Sequence, residues 1–404
     1  MDYSGKRISG DSTAESTKKI TSDNATAEIA KNHILDVAAE KITGNQIWED
    51  TTKESLKKLS VSAPNQKIYE RVLKNWDAIA KPLDGLGRFE TLTAQIGAIL
   101  GTDQLDLSRK AVVIMCADNG IVAEGVSQSG QEVTTAVVRQ MAKGASSVGK
   151  MAALIGVETI STDIGMSETE RIPGVLDRKI RCGTNNFRIE PAMTESEAVR
   201  AIGTGIGMVS ECKQKGYRIL ATGEMGIGNT TTSSAVAAAL LSCDAGEMTG
   251  RGAGLDDERL LHKKKVIAEA IKKYGLYEAE PLRILHTVGG LDIAGLAGVC
   301  MGGALFHIPI VLDGVISMTA ALLAEKLLSG TAAYLIASHR GKEPAVEKLT
   351  DALGLQPVID AGMALGEGTG AVMMLSLLDL ALSVYQGKTS FSEIAVKPYE
   401  RYGK

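Results

Sequence analysis

Aromatic residues are scarce, only 4% of 404. Without them the chain has few stacking platforms for single-stranded nucleic acid. Charge of one sign is scarce too. Lys and Arg number 44 and Asp and Glu 48, a net charge of −4. So weak a field attracts neither nucleic acid nor an anionic membrane surface. The five cysteines (Cys116, Cys182, Cys212, Cys243, Cys300) are widely separated and form no CxxC pair. An odd, scattered set is a poor disulfide framework and points to reduced thiols. The histidines His33, His262, His286, His307 and His339 show no HExxH or HxH spacing, so no intrinsic metal site is expected. The N-terminus MDYSGKRISGDSTAESTKK has no apolar core of a secretory signal. A cytoplasmic location is therefore expected. One uncharged run, Ala294 to Leu312, extends over 19 residues between Asp292 and Asp313 and contains four glycines, His307 and Pro309. It reads as a close-packed helix running into a buried strand, and no membrane span is expected.

Against these absences stand 44 glycines and 44% hydrophobic residues, enough for a large core. Residues 1–60 differ from the rest, with three glycines and many Ser, Thr, Lys and Asp. They read as a partly disordered extension carrying an amphipathic helix over Ala27–Ile42, a surface appendage or a docking element for an unknown partner. Beyond residue 65, apolar β-rich runs recur at Ala111–Met115, Ile219–Thr222, Ile308–Leu312 and Tyr334–Ala337, with a weaker one at Val157–Asp163. Helical stretches such as Thr230–Leu241 and Glu258–Tyr274 lie between them. This alternation predicts an α/β fold, a parallel sheet with helices on both faces, whose ligands bind at the carboxyl ends of the strands.

Glycine clusters stand where that rule places chemistry. Gly223-Glu224-Met225-Gly226-Ile227-Gly228-Asn229-Thr230 follows a strand and opens a helix. Such a loop either holds an anion on its backbone N–H groups or makes a tight strand–helix turn. In Gly366-Glu367-Gly368-Thr369-Gly370-Ala371 a glutamate sits between two glycines, which suits a base that must reach a substrate or an ordinary loop before a helix. The same stretch matches GxGxxA, but Asp360–Met363 is a poor strand and Gln386 stands where an acid is required. Gly144–Lys150 imitates a phosphate-binding P-loop, but Met151 replaces the magnesium-binding Ser or Thr and a helix precedes it. Lys263-Lys264-Lys265, after Gly250-Arg251-Gly252-Ala253-Gly254, offers a point charge for a phosphate or a solvated helix face.

Taken in order, these motifs resemble the nicotinate-nucleotide:dimethylbenzimidazole phosphoribosyltransferase family. The resemblance runs from about Lys81 to Lys388. It covers Lys81-Pro82 with Leu86-Gly87-Arg88-Phe89-Glu90, Cys116 to Val126, Ile172 to Val175, Gly223 to Thr231, Val288 to Ile293, Leu312-Asp313-Gly314, Ser338-His339 and Leu365 to Gly368. It implies transfer of a phosphoribosyl group from nicotinate mononucleotide to dimethylbenzimidazole or a related base, for the lower ligand of cobamides. It implies a homodimer acting on small molecules, with no cofactor and no metal. It also implies an α/β catalytic domain over 109–345 and a smaller helical domain built from 61–108 and 346–404. Glu367 becomes the general base, in a poorly solvated pocket, and Glu224 a supporting acid. Gly226, Gly228, Asn229, Thr230, Gly252, Lys263, Gly366 and Gly368 fall to the nucleotide and its phosphate, and Ser129 and Leu365 to the incoming base. The chain departs from the pattern in Leu83-Asp84-Gly85 and in Val137, where some members carry glutamine. The acceptor is accordingly open between benzimidazoles, purines and phenols. A nucleotide-dependent oxidoreductase or NTPase fails on its fingerprints, and a non-catalytic nucleotide-binding subunit does not need both Glu224 and Glu367.

Overall fold

A computed structural model describes residues 51–402. Its centre is a parallel six-stranded sheet in the order β3-β2-β1-β4-β5-β6: β1 Lys110–Ala117, β2 Glu158–Gly165, β3 Leu176–Asp177, β4 Ile219–Met225, β5 Ile310–Leu312 and β6 Leu335–Ala337. The apolar runs read from sequence fall on β1, β2, β4, β5 and β6. β1 is buried along its whole length, as a continuous apolar strand covered on both faces must be. Its side chains alternate between two cores. Ala111, Val113, Met115 and Ala117 join one, and Val112, Ile114 and Cys116 the other.

On the first face lie the helices Glu195–Gln214 and Leu291–Leu305. Glycines bring them together: a Cβ at Gly298 would lie 2.9 Å from Gly205 Cα. The uncharged run is therefore a buried helix, Leu291–Leu305, leading into β5. On the second face early and late helices of the described residues meet. The helices Gln66–Asp77 and Arg88–Leu100 pack there with Thr369–Gly387. Asn75 donates to the Tyr385 hydroxyl (2.8 Å), and Trp76 and Tyr385 stack at 5.1 Å. Arg401 binds Asp77 and Asp84, so the departing Leu83-Asp84-Gly85 segment anchors the C-terminal tail. Thr369–Gly387 is the one helix among the described residues long and apolar enough to cross a membrane. Half of it is buried, and Leu375, Leu378 and Leu382 point into the second core.

Two expectations are corrected. The folded part begins before residue 61. A short helix, Lys53–Lys57, buries Leu56 in the first core, and Lys53 pairs with Glu195 at 2.7 Å. The amphipathic stretch 27–42 lies outside the described residues. Second, Asp360–Met363, read as a poor strand, belongs to β8, Ile359–Met363, which pairs in parallel with β7, His339–Gly341. β8 is exposed along its middle, so the burial pattern that marks a strand in sequence is missing.

Candidate active site

Where β4 and β5 end, a cleft opens with an empty volume of about 1050 Å³ including its mouth. One side is the β4 end and the start of the helix Asn229–Leu241, contributing Glu224, Gly226, Asn229 and Thr230. Another is Asp313-Gly314 at the end of β5. The third is the loop Met363–Glu367. Val137, Ile227, Ile316, Val346, Met363 and Leu365 give the cleft an apolar wall. Leu365 is 54% exposed at its mouth.

Glu224 sits opposite Met115 in the middle of the sheet and is 8% exposed. Burial pushes its carboxyl up to about 8, and the charges of Asp292 and Asp313 push the same way. Hydrogen bonds from Asn229 Nδ2 and the Glu367 backbone pull against them. At neutral pH Glu224 is a neutral acid, able to donate a hydrogen bond beside an anionic substrate.

Glu367 is half-buried on a left-handed backbone, φ +62°, unusual for a residue with a side chain. Its surroundings fix this conformation. A Cβ at Gly223 would meet the Glu367 carbonyl oxygen at 2.5 Å, and one at Gly366 would meet Glu224 Oε1 at 2.7 Å. Its side chain is anchored as well: Glu367 Oε2 accepts the Val148 N–H at 3.1 Å. Val148 lies in the first turn of the helix Ser147–Leu154, capped by Ser146. This is the segment that imitates a P-loop. Its N-terminal end does receive an anion, and the anion is the protein's own carboxylate.

Further assignments change. Lys263 does not line the cleft. It is fully buried behind Thr230 and donates to Thr230 Oγ1 at 2.9 Å, and burial pulls its ammonium down to about 8. Its link to the cleft is the Thr230 hydroxyl, which lines it. Gly252 does line the cleft, but its N–H is taken by Glu343 Oε1 at 2.9 Å. Gly228 and Gly368 lie outside the lining. Both hold left-handed turns, φ +93° and +96°, that begin helices. Ser129 is also outside. Its neighbour Gln128 reaches the Gly254 carbonyl, so the loop touches the rim while Ser129 stays off the wall. Gly226 lines the cleft without a left-handed φ. A Cβ there would collide with the Ala117 carbonyl and lie 2.9 Å from Asp292 Oδ2. Its requirement is close passage of backbone past backbone.

Sequence reasoning passed over Ile316, Lys342 and Glu343, and gave Asp313, His339 and Met363 no role in the site, although all line the cleft. An acid directly after an apolar strand, as in Leu312-Asp313-Gly314, was the one available signal. Among the described residues no group of three His, Cys, Asp or Glu is placed to hold a metal ion.

A helix start in a strand-end cleft, lined by Glu224, Asp313, Glu343, Glu367 and an apolar wall, fits a group transferase for a phosphorylated nucleoside. A family model described as phosphoribosyltransferase matches residues 61–396. The chain is 41% identical over 341 residues to the nicotinate-nucleotide–dimethylbenzimidazole phosphoribosyltransferase of Acetivibrio thermocellus, covering 84% of this chain and 97% of that one. It is 40% identical, with the same coverage, to the protein of that name in Ruminiclostridium cellulolyticum. The crystal structure of CobT from Thermus thermophilus superposes with a TM-score of 0.78 at 36% identity, covering 82% of this chain and 100% of that one. The chain belongs to this phosphoribosyltransferase family.

Proposed function

We propose that this enzyme transfers the 5-phosphoribosyl group of nicotinate mononucleotide to dimethylbenzimidazole or a related flat base, releasing nicotinate and forming an α-linked nucleotide. One observation carries the reading: Glu367 is held in the same cleft as the N-terminal end of Asn229–Leu241 and the apolar wall.

The donor's pyridinium is a cation bonded to ribose C1′. As that C–N bond breaks, the ring takes the electron pair and becomes neutral, so the leaving group needs no protonation. A ring nitrogen of the acceptor attacks C1′ from the opposite side, which inverts β to α. The acceptor's other nitrogen must then lose its proton. Glu367, with Oε2 held by Val148, receives it. Asn229 and Thr230, backed by the Lys263 charge, hold the phosphate and so place C1′ against the nucleophile. Glu224, neutral at working pH, donates to the substrate without repelling the phosphate. The apolar wall, with Val137 in it, favours an apolar bicyclic acceptor over a polar purine.

Single-turnover formation of the α-nucleotide, followed by mass spectrometry across benzimidazoles, purines and phenols, tests this reading. Glu367→Gln should lower the rate at least about a hundredfold while donor binding persists. Undiminished turnover in that variant, or no product with any acceptor, would sink it.

A further inference from the structure

Asp313 closes β5 and is 2% exposed. Both of its carboxylate oxygens point away from solvent toward one short stretch of backbone. Oδ2 accepts the Gly368 N–H at 3.1 Å. Oδ1 accepts Gly370 N–H at 2.9 Å and Ala371 N–H at 3.3 Å. These three amides belong to the start of the helix Thr369–Gly387, directly after Glu367. Such amides have no partner within their own helix, and a carboxylate is the strongest acceptor available to them.

The carboxylate is itself held. The Asp313 N–H donates to Thr222 Oγ1 at 3.1 Å, and that hydroxyl donates to Ser317 Oγ at 2.9 Å. Thr222 is on β4, two residues before Glu224. The His339 ring lies alongside, with Nδ1 3.9 Å from Asp313 Oδ1 and 2.9 Å from Ser338 Oγ. Gly368 has no room to shift, because a Cβ there would stand 2.8 Å from Val112 Cγ2 and 3.0 Å from the Thr222 carbonyl oxygen.

We infer that Asp313 is a positioning residue for the reaction: its carboxylate clamps the three amides after Glu367 and so fixes the strained backbone that aims the general base. With both oxygens engaged by backbone, it acts through Gly368. This rests on the role of Glu367 given above.

The test is a mutant cycle in the full-length chain. Asp313→Asn puts an amide group against one of the N–H donors it now serves. We expect its single-turnover rate to fall about tenfold or more, as misplacement of a reacting group does. The KM for nicotinate mononucleotide should change less than about threefold, because the phosphate end is untouched. In the Glu367→Gln background the same substitution should cost less than about threefold more, since a clamp matters only if the base works. Full multiplication of the two losses would overturn the inference, as would an unchanged rate in Asp313→Asn.

Amide exchange separates this idea from the reading beneath it. Gly368, Gly370 and Ala371 should exchange about tenfold faster or more in Asp313→Asn while β1 amides keep their protection. That result stands or falls whether or not Glu367 is the base. If Asp313→Asn does not fold, Thr222→Val decides, since it releases the Asp313 N–H, with Ser317 Oγ and the Val311 carbonyl, and leaves the Asp313 carboxylate in place. It should speed exchange at the same three amides and lower the rate several-fold with KM kept. Protected amides and a wild-type rate in Thr222→Val would refute the clamp.

Discussion

The neutral state of Glu224 can be read as a slope of stability against pH. Its carboxyl is raised from 4.5 to about 8 in the folded chain. Unfolded, it titrates near its ordinary value, so between the two pH values the folded state binds the extra proton. Stability from this group is then fully present below about pH 4.5 and is lost as pH rises toward 8. Part of the range is shared, because burial also lifts Asp292 from 3.8 to about 6. Lys263, lowered from 10.5 to about 8, acts with the opposite sign above pH 8, where the unfolded chain binds the extra proton. Between pH 6 and 8 the slope therefore belongs mainly to Glu224. At 1.36 kcal/mol per pH unit for one proton, tapering as pH nears 8, the loss is about 2 kcal/mol. Glu224→Gln cannot ionise and lacks this slope. Urea unfolding of both proteins at half-unit steps, at one protein concentration, yields the difference, in which the histidines common to both cancel. We expect the variant to gain on the wild type by about 2 kcal/mol from pH 6 to 8. A difference constant to within about 0.5 kcal/mol would mean that Glu224 is ionised in the folded protein, and its role as a donor would fall.

Other expectations concern single positions. Gly226→Ala should lower unfolding stability by about 1–3 kcal/mol, because the Ala117 carbonyl it meets is fixed in the central strand. A donor-specific binding defect at full stability would contradict that account. Lys263→Met keeps the buried stem and deletes the charge behind Thr230, so KM for the nucleotide should rise about tenfold in steady-state assays while acceptor KM holds. Equal nucleotide affinity would detach Lys263 from the phosphate. A chain starting at residue 61 loses Leu56 and the Lys53–Glu195 pair and should unfold about 2–5 kcal/mol more easily than one starting at residue 51, as urea titration would reveal. Equal midpoints would mean that the first helix is dispensable.

The central sheet was legible because its strands are buried on both faces and leave long apolar runs, as at Ala111–Met115. The loop after β4 was legible because glycines and an acid at a strand end have few other uses. What escaped depends on contacts between distant segments. Nothing around Val148 says that its amide will hold the carboxylate of Glu367, 219 residues away. Lys263 stands between polar residues, and the adjacent His262 and Lys264 are only partly buried, so its full burial follows from packing behind Thr230. β8 gave no signal because its edge is wet, and Ser129, a candidate for the base pocket from the resemblance alone, lies outside the residues that line the cleft.

Glu224 and the helix start lie at the end of β4, while Glu367 sits on the loop after β8 and is wedged against the middle of the sheet, where Gly223 and Gly368 leave no slack. The apolar wall proposed for the incoming ring has two sources: Val137 on the helix Glu132–Ala142, and Met363 and Leu365 on the same loop as Glu367. Under the proposed mechanism, acceptor preference can be altered at Val137 without touching the base, whereas a change at Leu365, two residues before Glu367 on one loop, also displaces the group that takes the proton.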